Sequence, residues 1–114
     1  MGRWAQQRRR GGSPPPTPPP PSGPNMTFAA DVGGGLINLF FDGDIVVDPL
    51  GVPDLGAFTL DGNPVTVTAA VLLGTTVCQV QQTIDPSTGM TAAWASQPPY
   101  ITTPISLAFP QVVA

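Results

Sequence analysis

The residues able to do chemistry are few. Arg3, Arg8, Arg9 and Arg10 are the whole basic inventory of the 114-residue chain, seven Asp are the whole acidic one, and His, Lys and Glu are absent. General acid–base work at neutral pH relies mostly on His, Glu, Lys or a tuned Asp. Ser87, Ser96 and Ser106 have no His base anywhere, so a Ser-His-Asp arrangement is excluded. A zinc site needs three or four ligands, and one thiol with no His falls far short. Gly33-Gly34-Gly35 lacks the following Lys and helix of a phosphate-binding loop. The inventory predicts no catalytic residues and no cofactor.

One cluster keeps a metal in view. The stretch FDGDIVVDPLGVPD places Asp42, Asp44, Asp48 and Asp54 within 13 residues. Asp42 and Asp44, flanking a glycine, are weak calcium candidates, since calcium wants six to eight hard oxygens. An EF-hand loop needs Asp or Asn at its fifth position, and Val46 stands there; Asp at turns more often caps backbone N–H groups. No metal is favoured. Cys78, the single cysteine, sits in the alternating run TTVCQVQQ, where a small buried hydrophobe is expected over a reactive thiol.

All four positive charges lie in the first 24 residues, and all seven negative ones follow residue 30. The chain is thus split into a basic arm, residues 1–24, and an acidic domain, residues 25–114. The arm carries 8 of the 16 prolines. Its segment SPPPTPPPPSGP predicts polyproline II, extending about 37 Å at 3.1 Å per residue. Trp4 with Arg8, Arg9 and Arg10 at its tip form a candidate partner-binding anchor; an idle solubilising tail is the competing reading. Four charges allow only weak nucleic-acid contact. Arg10 is followed three positions on by Ser13, out of register for a Src-homology-3 ligand. The basic start is followed by Gly and Pro in place of an apolar h-region, so no signal peptide is expected and synthesis is expected in the cytosol. No run approaches the roughly 18 apolar residues of a membrane span.

The domain must be built from strands. Val, Thr, Phe and Ile dominate, with period-two alternation and turn residues every 8–12 positions. Strands are predicted at 26–32, 36–41, 45–47, 57–60, 65–73, 75–82, 91–96, 105–109 and 111–114, some too short to count, giving about seven. Asp61-Gly62 is the best hairpin signal, predicted to join 57–60 to 65–73. The fold class is all-β, a single antiparallel sandwich, which buries such one-sided strands. Val65, Val67, Ala69 and Val71 are expected on one buried face, with Phe28, Leu39, Phe41, Phe58, Leu60, Val77, Trp94 and Phe109 completing the core. In 36–41 both faces are apolar, which fits either a strand covered on both sides or an interface.

The run LINLFFDGDI … AFTLDGNPVTVTAAVLLGTTV resembles Ig-like repeats of bacterial surface proteins of the swarming-motility type. It shares an apolar strand ending in Phe-Asp, a Pro-containing loop, a Phe-Thr strand and Val/Thr strands split by glycine. The match spans residues 36–82 and implies an Ig-like sandwich. With one Cys, and Thr76 where a Tyr would precede a second bridging cysteine, it implies no immunoglobulin disulfide. A short basic, proline-rich arm before one such domain also resembles small accessory proteins of tailed-phage particles. That layout implies a non-enzymatic structural or interaction module, a virion subunit or decoration protein contacting other protein subunits. The alternative is a carbohydrate- or cell-surface-binding adhesion module, with Trp94 and Tyr100 as an exposed aromatic ligand platform.

Overall fold

A computed structural model describes residues 23–114. Trp4, Arg8, Arg9 and Arg10 lie outside the described residues. Strand β1 (Met26–Gly33) and β2 (Leu36–Phe41) form a hairpin. Gly34 and Gly35 make its turn with φ of 67° and 83°, a left-handed conformation that glycine adopts without a Cβ penalty. At Gly35 a Cβ would also lie 2.3 Å from the Gln82 carbonyl oxygen. The chain then passes through a short 3-10 turn (Pro49–Gly51), capped by the Asp48 carboxylate accepting from the Leu50 N–H at 2.9 Å.

Strands β3 (Phe58–Leu60) and β4 (Asn63–Pro64) are joined by Asp61 and Gly62, both at positive φ. The predicted two-residue turn is therefore present, but its second arm ends at Pro64. Proline has no N–H to extend a ladder, and the chain leaves for the other sheet as β5 (Val67–Leu73), which turns at Gly74 into β6 (Val77–Gln82). Strands β7 (Thr91–Trp94) and β8 (Gln111–Val112) complete the set. The two antiparallel sheets have orders β1-β2-β6-β5 and β4-β3-β7-β8. Among the described residues there is no α-helix. Residues 45–47 contribute only a single bridge, Val47 to Ile101, and 105–109 form no strand.

The inner faces meet in one apolar cluster. Ile37, Leu39, Val80 and Cys78 from the first sheet pack with Phe58, Leu60, Ala92 and Trp94 from the second. Phe41 spans the layers to stack on Trp94 at 6.4 Å between ring centroids. The predicted core members Leu39, Phe41, Phe58, Leu60, Val65, Val67 and Trp94 are all buried.

Five predicted core residues are not fully buried, and the strand geometry explains most of the difference. In β1, Met26 pairs Phe41 but Phe28 pairs Phe40, so Thr27 is an extra residue. In β5, Val67 pairs Gln82 but Ala69 pairs Gln81, so Thr68 is extra too. Each β-bulge adds one residue and exchanges the faces beyond it. Met26 and Val67 point inward, but Phe28, Ala69 and Val71 point outward, while Ala70 takes the buried place. Val77, paired with Phe40, lies on the same outer face and is half-buried. Phe109 is exposed in the irregular segment before β8.

Candidate functional site: an uncharged sheet face

The outward side chains of the first sheet form a grid set by the strand register. Phe28, Phe40, Val77 and Leu73 make one row across the four strands. Ala30, Asn38, Gln79 and Val71 make the second; Leu36, Gln81 and Ala69 make the third, where Leu36 pairs Gly33 and Val32 is an extra residue of β1. None of these residues is ionisable. Phe28 and Val71, each 46% exposed, and Val32 and Leu73 leave much apolar surface in water. Phe28 and Phe40 pack ring to ring at 5.5 Å with a 58° tilt, one of the favoured aromatic geometries. In the middle, the Gln79 Nε2 donates to Asn38 Oδ1 at 2.9 Å. The Gln81 amide donates to the Gly34 carbonyl at 2.7 Å and holds the β1–β2 turn.

The edges of this sheet differ. Strand β1 is covered by the C-terminal segment: Ala114 N–H donates to the Ala29 carbonyl at 2.9 Å and Asp31 N–H to the Ala114 carbonyl at 3.0 Å. Strand β5 is bridged only at Val67, by Asp54. From Ala69 to Leu73 its outer edge has no backbone partner among the described residues. It also lacks the charged or Pro residues with which exposed edges are usually protected.

The acids serve the backbone instead of gathering into a site. Asp42 accepts from the Asn25 N–H at 2.8 Å and from Asn25 Nδ2 at 3.1 Å, so both its oxygens pin the start of β1. Asp61 accepts from the Thr91 N–H at 2.8 Å. Asp31 accepts from the Ser87 N–H and the Gly33 N–H, both at 2.7 Å, and the Ser87 bond above all holds its carboxyl below the usual carboxylate range. Asp44 stands exposed in the loop after β2. Among the described residues no group of three or more Asp, Glu, His or Cys converges on a point where a metal would sit.

The two aromatic residues considered for a ligand platform face the interior. Tyr100 and Trp94 are both buried, with ring centroids 6.5 Å apart, so they form no exposed platform for sugar. Tyr100 Oη and Trp94 Nε1 find no hydrogen-bond partner there among the described residues. Burial first, and then the nearby Cys78 and Asp54, push the Tyr100 phenol well above its usual range. Burial alone pushes the Cys78 thiol up to about 12. This thiol is a protonated, packed group at neutral pH, as its alternating run predicted. No pocket opens among the described residues. No helix among them is long and apolar enough to cross a membrane.

Sequence reasoning found the doubled apolar faces of 36–41 but missed Phe28, Val71 and Val77 as members of the outer face. The exposure of Phe28 and Val71 follows from the bulges at Thr27 and Thr68, which nothing in a single sequence marks. No family model matches this chain, and no curated protein and no solved structure matches it either.

Proposed function

We propose that this protein is a non-enzymatic structural or interaction module, a subunit or decoration protein of a larger assembly such as a phage virion. Its basic arm is the anchor in this reading, and the domain is of Ig-like type. The observation that carries the proposal is the uncharged, apolar outer face of the first sheet on a domain that is acidic elsewhere. Contiguous exposed apolar surface of this kind marks protein contact sites. The unprotected edge of β5 offers backbone hydrogen bonds beside it. The residue inventory adds support, because it has no His, Glu or Lys for general acid–base work and no His for a zinc site.

Mass spectrometry of particles purified from producing cells tests the reading: the chain is expected at a fixed ratio to the other subunits. Its absence from such particles would end the assembly proposal. The arm is tested in the full-length chain by replacing Trp4, Arg8, Arg9 and Arg10 with alanine. The variant is expected to keep the wild-type melting temperature and to lose incorporation; full incorporation would show that the arm is not the anchor.

A further inference from the structure

We propose that the uncharged face of the first sheet pairs with the same face of a second copy of this chain, forming a twofold-symmetric, face-to-face dimer. The inference rests on the assembly reading and names one of the partners in it. Charge selects the occupant. Residues 25–114 hold seven Asp and no basic residue, so two domains repel each other wherever their acids meet. The grid of three rows carries no acid, and is a surface on which two copies approach without opposing like charges.

The central amide pair is self-complementary. Gln79 donates one N–H to Asn38, which leaves an Asn38 Nδ2 donor and a Gln79 Oε1 acceptor free for another bond. Exchanging the two amide orientations leaves one donor and one acceptor again, so the property does not depend on their assignment. A twofold axis running along the strands, midway between β2 and β6, sets Asn38 of one copy opposite the partner's Gln79, and the reverse. This is the pattern an isologous interface requires.

The same operation pairs the remaining columns by size. Phe28 meets the partner's Leu73, Phe40 the partner's Val77, Ala30 the partner's Val71, and Leu36 the partner's Gln81. In the second row a larger side chain at one edge strand faces a smaller one at the other. Two such faces can settle at the usual sheet separation of about 10 Å.

With strands about 4.8 Å apart and alternate residues nearly 7 Å apart, the grid covers roughly 400 Å² per copy. A standard interface buries about 800 Å² per partner. The pair is therefore weak in free solution and gains strength when an assembly holds copies side by side, because effective concentration replaces intrinsic affinity.

Sedimentation equilibrium of the full-length chain, from about 10 µM to 1 mM, tests the pairing. Reversible dimers are expected, with a dissociation constant on the order of 100 µM, as befits the small area. Val71→Asp is expected to weaken association at least tenfold, whereas Leu50→Asp, at a position 87% exposed in the 3-10 turn, should leave it unchanged. Two double variants, Asn38→Asp with Gln79→Asp and Asn38→Lys with Gln79→Lys, are each expected to be monomeric alone and to associate when mixed. A chain monomeric to 1 mM overturns the pairing, and so does a dimer indifferent to Val71→Asp. Amide NMR shifts on β2 and β6 that ignore dilution but respond to Trp4→Ala would place the arm on this face and also overturn it. A monomer present in particles defeats the pairing alone; a dimer absent from particles defeats the assembly reading alone.

Discussion

The two faces of the first sheet are built from similar residues and have opposite fates. The inner face presents Ile37, Leu39, Val80 and Cys78, all buried. The outer face presents Leu36, Phe40, Val77 and Val71, none of them fully buried. Hydrophobicity alone does not separate the two sets. What separates them is the second sheet, which supplies Phe58, Leu60 and Trp94 to one side only. The lesson concerns energetics: a side chain stabilises the monomer in proportion to the area it removes from water. The outer face holds the same free energy unspent, available to whatever packs against it.

The comparison breaks most visibly at Leu39. This residue is completely buried at the centre of the inner face. Leu39→Ala is expected to destabilise the monomer by about 3 kcal/mol through lost transfer free energy and the cavity left behind. Urea unfolding of the two proteins checks it, with the midpoint falling and the slope unchanged. A loss below about 1 kcal/mol would mean the inner layer is loosely packed, and the contrast between faces would weaken accordingly.

Alkaline pH probes the inner face by a different route. The Cys78 thiol is raised by burial from an ordinary value of 9.0 to about 12. A group raised in the folded state contributes stability that is complete below its unfolded pKa and is lost as pH climbs toward the folded one. Stability is therefore expected to fall from about pH 9 upward, by about 2 kcal/mol at pH 10.5, because one pKa unit corresponds to 1.36 kcal/mol. Tyr100, also raised by burial, adds to the loss in the same direction. Cys78→Ala is expected to flatten this alkaline limb. The native thiol should also resist aromatic disulfide reagents at neutral pH until the chain is unfolded.

Much of this division was legible in the sequence, and the part that was not has a local cause. Alternation in LINLFF and VCQVQQ located both central strands, which carry no bulge, and Leu39, Phe41 and Cys78 lie where their parity puts them. Parity failed on the edge strands. One extra threonine at position 27 and another at position 68 reverse the faces beyond them, and a bulge has no composition signal strong enough to read in a single sequence. The Asp61-Gly62 turn was read correctly, but the route after it was not. Whether Val65 onward folds back or crosses to the other sheet depends on Pro64 and on long-range pairing with β6, which local propensity does not encode. For Trp94 and Tyr100 the sequence left core and platform both open, and only the three-dimensional packing decides for the core.

Tyr100 shows that the inner side is not ideal either. Its ring is fully enclosed while its hydroxyl has no partner among the described residues. An unsatisfied buried hydroxyl carries its desolvation penalty without a compensating bond. Tyr100→Phe removes that group and keeps the ring, so it is expected to leave stability unchanged or raise it by up to about 1 kcal/mol. Thermal melts of the two proteins check the sign. A loss of more than about 1 kcal/mol would reveal a buried water bonded to the hydroxyl.

The smallest expected effect is the one that defines the outer face. Val71 projects from an edge strand into solvent, and a polar residue there disturbs no packed layer in the monomer. Val71→Asp is expected to change monomer stability, measured at micromolar concentration, by no more than about 0.5 kcal/mol. The same substitution should weaken association at high concentration at least tenfold. Loss of association with no loss of stability separates an interface from a core, since a core residue cannot give up one without the other. If Val71→Asp instead unfolds the dilute monomer as Leu39→Ala does, the outer face is already covered within a single chain. The two faces would then be two halves of one core, and the acidic domain would have no uncharged surface left to offer a second copy.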